Sequence, residues 1–176
     1  MRFSGFEKTN IFNRNYKIAF WAGFWGGNIA SFVKSGVEVF FPARFPDRIA
    51  PPIQLLNDLG FQAKDMIYSF SDHTRNWGGL GIHYLFSLFF SVVYCLIAEI
   101  FPLVKLWQGL AFAFFITVLF HAIILPFCGW SPAVWHLPGD EIFSESLGHV
   151  AWMWTIEIFR RDIRNRMTGK TDPEFQ

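Results

Sequence analysis

Residues 77–101 read WGGLGIHYLFSLFFSVVYCLIAEIF, 25 positions whose single formal charge, Glu99, stands near the far end. At 1.5 Å per residue this run is about 37 Å long, enough to cross a hydrocarbon core of ~30 Å. Pro102 closes it, and only FPLVK separates it from a second apolar run at 106–127. Two membrane-length segments joined so tightly predict an antiparallel helical pair. Working outward, 18–41 and 142–159 also reach spanning length, although the last carries Glu145 and His149 inside it. The expected fold is therefore an all-α polytopic membrane protein with four transmembrane helices at 18–41, 77–101, 106–127 and 142–159. Residues 1–176 then form a single membrane domain with basic tails at 1–17 and 160–176.

Composition agrees through its aromatic share. The chain has 23 Phe and 8 Trp in 176 residues, too much ring surface for the core of one small soluble domain but no burden when rings face lipid. Trp21, Trp77, Trp107, Trp130 and Trp135 fall near segment ends, where amphipathic rings favour the interface. A net charge of +1 carries no nucleic-acid signal. Cys95 and Cys128 lie in separate apolar segments, so neither a disulfide framework nor a CxxC metal knuckle is available. No cleavage motif follows the first apolar segment, which is expected to be retained.

Lys and Arg set the expected orientation. Arg2, Lys8, Arg14, Lys17, Lys105 and the five basic residues after 159 place ten on one side, against four in the first loop (Arg44, Arg48, Lys64, Arg75). By the positive-inside rule both termini are cytoplasmic. Pro42, Pro46, Pro51 and Pro52 stop the first helix. The loop from 42 to 76 is too long to be bare coil, and Ile53, Leu56, Ile67 and Phe70 suggest a short helix or two on the outer face. Arg160, Arg161, Arg164 and Arg166 read as the orienting charge and as ligands for anionic lipid. Glu99 and Glu157 read as salt-bridge partners of Lys105 and of Arg160 or Arg161.

At 100° per residue each segment shows a small or polar stripe. On the first, Ala19, Gly23, Gly27, Ala30, Lys34 and Glu38 share a side, and Gly23/Gly27 has the GxxxG spacing of closely packed helices. Counting depth at 1.5 Å per residue puts Lys34, His83, His121 and His149 roughly 7 to 11 Å below the outer boundary, with Glu38 and Glu145 one turn nearer it. Ionisable groups at that depth are costly and tend to mark function. Lys34 and Glu38, at i and i+4, also read simply as a self-neutralising pair.

The motifs FVKSGVEV (32–39), NWGGLGIH (76–83), YCLIAEIFPLVKLWQG (94–109) and SESLGHVAWMWTIEIFRRDIRNR (144–166) resemble the YagU-like inner-membrane proteins of bacteria. The resemblance runs from Lys34 to Arg166 and weakens in the first loop. It implies a small multi-spanning protein of the bacterial cytoplasmic membrane and supplies no catalytic residue. Three functional readings remain. The leading one is a passive or proton-linked membrane pathway, a channel, transporter or acid-response element, with Lys34, Glu38, His83, His121, Glu145 and His149 as its polar layer. The second is a metal- or cofactor-binding membrane enzyme that uses His83, His121 and His149 with Glu145. The third is an accessory subunit without chemistry. No cofactor is expected, and the partners expected are membrane lipids and further copies of the chain.

Overall fold

Glycine decides how the first long helix packs. The computed structural model describes residues 8–42, 44 and 48–172, so Arg2 and Pro46 lie outside the described residues. Helix α1 (Tyr16–Phe40) turns Ala19, Ala22, Gly23, Gly26, Gly27 and Ala30 inward. A Cβ on Gly23 would stand 2.6 Å from the α-carbon of Val92, and one on Gly27 would stand 2.7 Å from Ser91 Cβ, both on α3 (Trp77–Ile100). A Cβ on Gly26 would instead meet Phe159 Cβ at 3.2 Å, on α6 (Gly139–Thr168). Helix α1 is thus wedged between α3 and α6, at backbone contact with α3. Ser91 Oγ seals that contact by donating to the Gly23 carbonyl at 2.8 Å. The Gly23/Gly27 face therefore meets a helix of the same chain.

The segment from 42 to 76 departs from the all-helical expectation. Ile53 and Leu56 do sit on a short helix, α2 (Pro51–Asp58), with prolines at its first two positions, where no intrahelical N–H is lost. Ile67 and Phe70, expected on a helix, lie instead on β1 (Ile67–Phe70), paired antiparallel with β2 (His73–Asn76). Ser71 and Asp72 both take positive φ, 48° and 64°, the backbone that a two-residue hairpin turn requires. Asn76 ends the hairpin and caps α3, its Oδ1 accepting from the Gly79 amide at 2.7 Å.

The third apolar segment also differs from 106–127. Trp107, Gln108 and Gly109 have positive φ, so α4 (Leu110–Thr117) begins only at 110. It continues as a π-helical turn, Val118–Ile124, and ends in α5 (Leu125–Phe127). Pro126 supplies the reason: in α register its ring would press on the carbonyl four residues back, and the wider turn before it relieves that contact. By length and apolar composition α3 and the continuous helix 110–127 can each cross a membrane. Helix α1 is diluted by its glycines and Asn28, and α6 by its charged residues.

The core is narrow. Tyr94, Cys95, Phe112, Ile116, Trp152, Met153 and Ile156 fill the middle of the bundle. Large apolar side chains line the outside along its length, among them Trp25, Phe32, Phe89, Phe114, Phe143 and Trp154. Charge is buried within while rings are exposed, the reverse of a water-soluble bundle.

Candidate functional site

The ends of the bundle are ionic, and α6 contributes to both. At the end carrying the hairpin, its first turns place Glu141, Glu145 and His149 at i, i+4 and i+8 on one buried face. The last turns of α1 bring Lys34 and Glu38, which pair with each other. Lys34 Nζ also lies 3.5 Å from Glu145 Oε2. The π turn presents His121, whose Nε2 is 3.8 Å from Glu145 Oε2, and His149 Nδ1 is 3.7 Å from the same oxygen. His149 Nδ1 donates to the Glu145 carbonyl at 2.8 Å, which leaves its Nε2 as the acceptor nitrogen when the ring is neutral. The two imidazoles meet edge to face, centroids 5.2 Å apart.

His83, on α3, completes the group by lining a cavity of about 360 Å³ that also touches Lys34, Glu38, His121, Glu145 and His149. All six residues of the polar layer therefore border one space, roofed by α2 and the start of α3. A side pocket reaches further in, past Ser87, to Trp152, whose Nε1 donates to Ser87 Oγ at 2.6 Å. Trp152, Met153, Ile156 and Tyr94 are fully buried beyond it and close the route toward the other end.

Two further residues of this cluster were missed because they belong to the first loop. Arg44 Nη2 donates to Glu145 Oε1 at 2.8 Å, and Arg48 Nη2 donates to Glu141 Oε1 at 2.5 Å. The chain folds back so that two loop arginines four apart grip two helix carboxylates four apart. That shared spacing was the available signal. Lys34, Arg44 and Arg48 thereby balance Glu38, Glu141 and Glu145, with the three histidines left over.

His121, Glu145 and His149 could hold a metal ion on distance, since one donor atom from each lies within 4.8 Å of the others. The charges argue against it. Both oxygens of Glu145 are already engaged, one by Arg44 and one beside Lys34. A divalent ion placed there would stand against the Lys34 ammonium.

The opposite end is where the described termini meet, as Arg164 Nη2 donates to the Asn13 carbonyl at 3.4 Å. There the expected roles of the arginines need correction. Arg160 and Arg164, read above as lipid ligands, are 2% and 6% exposed. Arg160 bonds Glu157 through two nitrogens, at 2.6 and 2.8 Å, and Asp172 at 2.5 Å. Arg164 Nε donates to Glu99 at 2.6 Å, so the partner of Glu99 is Arg164, while Lys105 bonds Asp172 at 3.0 Å. A buried guanidinium needs carboxylates close by, and the returning tail supplies one. Arg161 and Arg166 remain exposed. Burial raises the Asp172 carboxyl, but the hydrogen bonds and charge of Arg160, with help from Lys105, outweigh it and hold Asp172 below the usual carboxylate range. Burial likewise pulls the Lys105 ammonium down, against the opposing pull of Asp172.

A helical bundle with an apolar exterior, a closely packed centre and a buried ionic cluster at each end is the class that this fold and site define. Within it, the chain belongs to the family described as protein of unknown function (DUF1440), whose model matches residues 28–158. It is 37% identical over 196 aligned positions to inner membrane protein YagU of Escherichia coli (strain K12), covering 97% of this chain and 96% of that one. No solved structure matches the chain.

Proposed function

We propose that this is a four-span protein of the bacterial inner membrane, both tails cytoplasmic, whose hairpin-end ionic layer senses protons from outside. The spans are α1, α3, the helix 110–127 and the 142–159 portion of α6. Supporting this, the charges that fall within 18–41 and 142–159, namely Lys34, Glu38, Glu145 and Glu157, are all paired and three of the four are buried, the arrangement expected of ionisable groups within a membrane. The basic tails meet at one end and the hairpin lies at the other, in keeping with ten Lys and Arg against four. The inner-membrane relative supports the location. Part of the exposed aromatic belt meets a second copy in this reading.

One observation carries the acid response. His121 and His149 lie 3.8 and 3.7 Å from Glu145, the carboxylate through which Arg44 holds the first loop to the bundle. Imidazole is the side chain whose ordinary titration falls between pH 5 and 8. A charge at ~4 Å interacts with another by about 4 kcal/mol at an effective dielectric near 20. A protonated ring at 3.7–3.8 Å therefore weakens the hold that Arg44, at 2.8 Å, has on Glu145, and it adds repulsion toward Lys34. The Arg44 clasp loosens, which leaves Arg48 on Glu141 as the remaining ionic tie, and the loop opens over the cavity more readily. The buried centre at Trp152, Met153 and Ile156 favours such a vestibule over an open passive pore.

The test is hydrogen exchange of residues 51–58 in nanodiscs. Exchange should rise as pH falls below the ordinary imidazole range, and His121→Gln should flatten that rise. Exchange that stays level in the wild-type protein overturns the reading. The metal-site reading rests on the 4.8 Å cluster alone. Elemental analysis of protein purified without chelator decides it, and less than a tenth of an equivalent of any transition metal is expected.

A further inference from the structure

We infer that the cavity is a binding site for an amphipathic organic monoanion, an acyl chain ending in a carboxylate or phosphate, with the acid on Arg44 and Arg75 and the chain against α2 and α3. The inference rests on the outward-facing reading of the cavity and adds a ligand to it. Three observations on the cavity lead there. The walls are apolar, with Pro52, Ile53, Leu80, Phe120, Ile124 and Trp130 among them, and the polar groups are gathered at the floor and rim. That distribution suits a ligand with one polar end.

The charge at the lining is uneven. Lys34, Arg44 and Arg75 border the space with only Glu38 and Glu145 against them. Glu38 and Glu145 are already taken by Lys34 and Arg44. Arg75, exposed on β2, has no acidic partner among the described residues. An organic cation would find no free carboxylate on this lining.

The third observation is an unmet donor. Arg44 Nε is buried and has no acceptor among the described residues, although the same side chain gives Nη2 to Glu145. A buried donor without a partner is costly, and since Arg44 borders the cavity, a turn of its side chain toward an anionic oxygen there would satisfy it. A neutral apolar guest would leave it unmet. At about 360 Å³ the space is at the small end for organic ligands, which suits a medium chain or one segment of a longer lipid.

The full chain in nanodiscs of zwitterionic lipid, held at neutral pH, is titrated with decanoate and with decylamine by calorimetry. Decanoate should bind one saturable site, at least about tenfold tighter than decylamine, which has the same chain and the opposite charge. Arg75→Gln, on an exposed strand, should weaken decanoate about tenfold, and Ile53→Trp should block it by filling the wall. Equal binding of acid and amine overturns the proposal, and so does decanoate binding untouched by either variant. Competition by a short-chain phosphatidylglycerol identifies the anion as a phospholipid, and its failure to compete identifies a free organic acid. Decanoate binding is read at one pH and loop exchange as pH varies, so either idea can fail while the other stands.

Discussion

Replacing Gly23 with alanine adds one methyl group where the α3 backbone already stands. The new Cβ would lie 2.6 Å from Val92 Cα and 2.9 Å from the Ser91 carbonyl oxygen. Overpacking of this kind costs roughly 1–3 kcal/mol, and the upper end applies because backbone, not a swinging side chain, is in the way. Alanine is about 1 kcal/mol better than glycine in a helix, which offsets part of that. The net expectation is a loss of about 2 kcal/mol. Gly81→Ala is the matched control, since nothing lies within 4 Å of a Cβ there and only the helical gain remains. It should stabilise by roughly 0.5–1 kcal/mol, so the two variants should differ by about 3. Denaturant unfolding in mixed micelles, followed by tryptophan fluorescence, reads the difference. Equal midpoints would refute the close α1–α3 contact.

At the termini end, Arg160→Gln strands Glu157 and Asp172 and should cost about 3–5 kcal/mol in the same unfolding assay, whereas Arg161→Gln should stay within about 0.5. The lowered Asp172 carboxyl gives the tail a pH dependence with a definite sign. Its contribution is complete above the unfolded-state value, about pH 4, and is lost as pH falls through the lower folded value. Hydrogen exchange at 165–172 should therefore rise only in strong acid, and Asp172→Asn should show the raised exchange at all pH values. In a background lacking Cys95 and Cys128, Ser71→Cys should react with an impermeant thiol reagent in intact cells and Lys170→Cys should not. Equal labelling would remove the four-span orientation.

The helical stripes were legible because their cause is local. A small or polar face at 3.6-residue spacing is written in α1, α3 and α6 before any tertiary contact forms, and depth counting alone drew Lys34, His83, His121 and His149 to one level, with Glu38 and Glu145 one turn nearer the outer boundary. What escaped depends on contacts remote in sequence. Arg44 and Arg48 look like ordinary loop charge until the chain brings them to Glu145 and Glu141, more than ninety residues away. Arg160 and Arg164 look like lipid ligands until Asp172 and Glu99 cover them. The hairpin was hidden because its turn is Ser71–Asp72, without the glycine that usually marks two consecutive positive-φ residues. The π turn was hidden because Pro126 acts on the residues before it.

Helix α6 is gripped at two levels by different parts of the chain. Glu141 and Glu145 are held by the first loop and α1, while Arg160 and Arg164 are held by α3 and the returning tail. Glu145 and Arg160 are about 22 Å apart along the axis. A slide of one turn, about 5.4 Å, would pull every one of these contacts out of register together. A piston movement of the helix would therefore cost the ionic contacts at both ends at once.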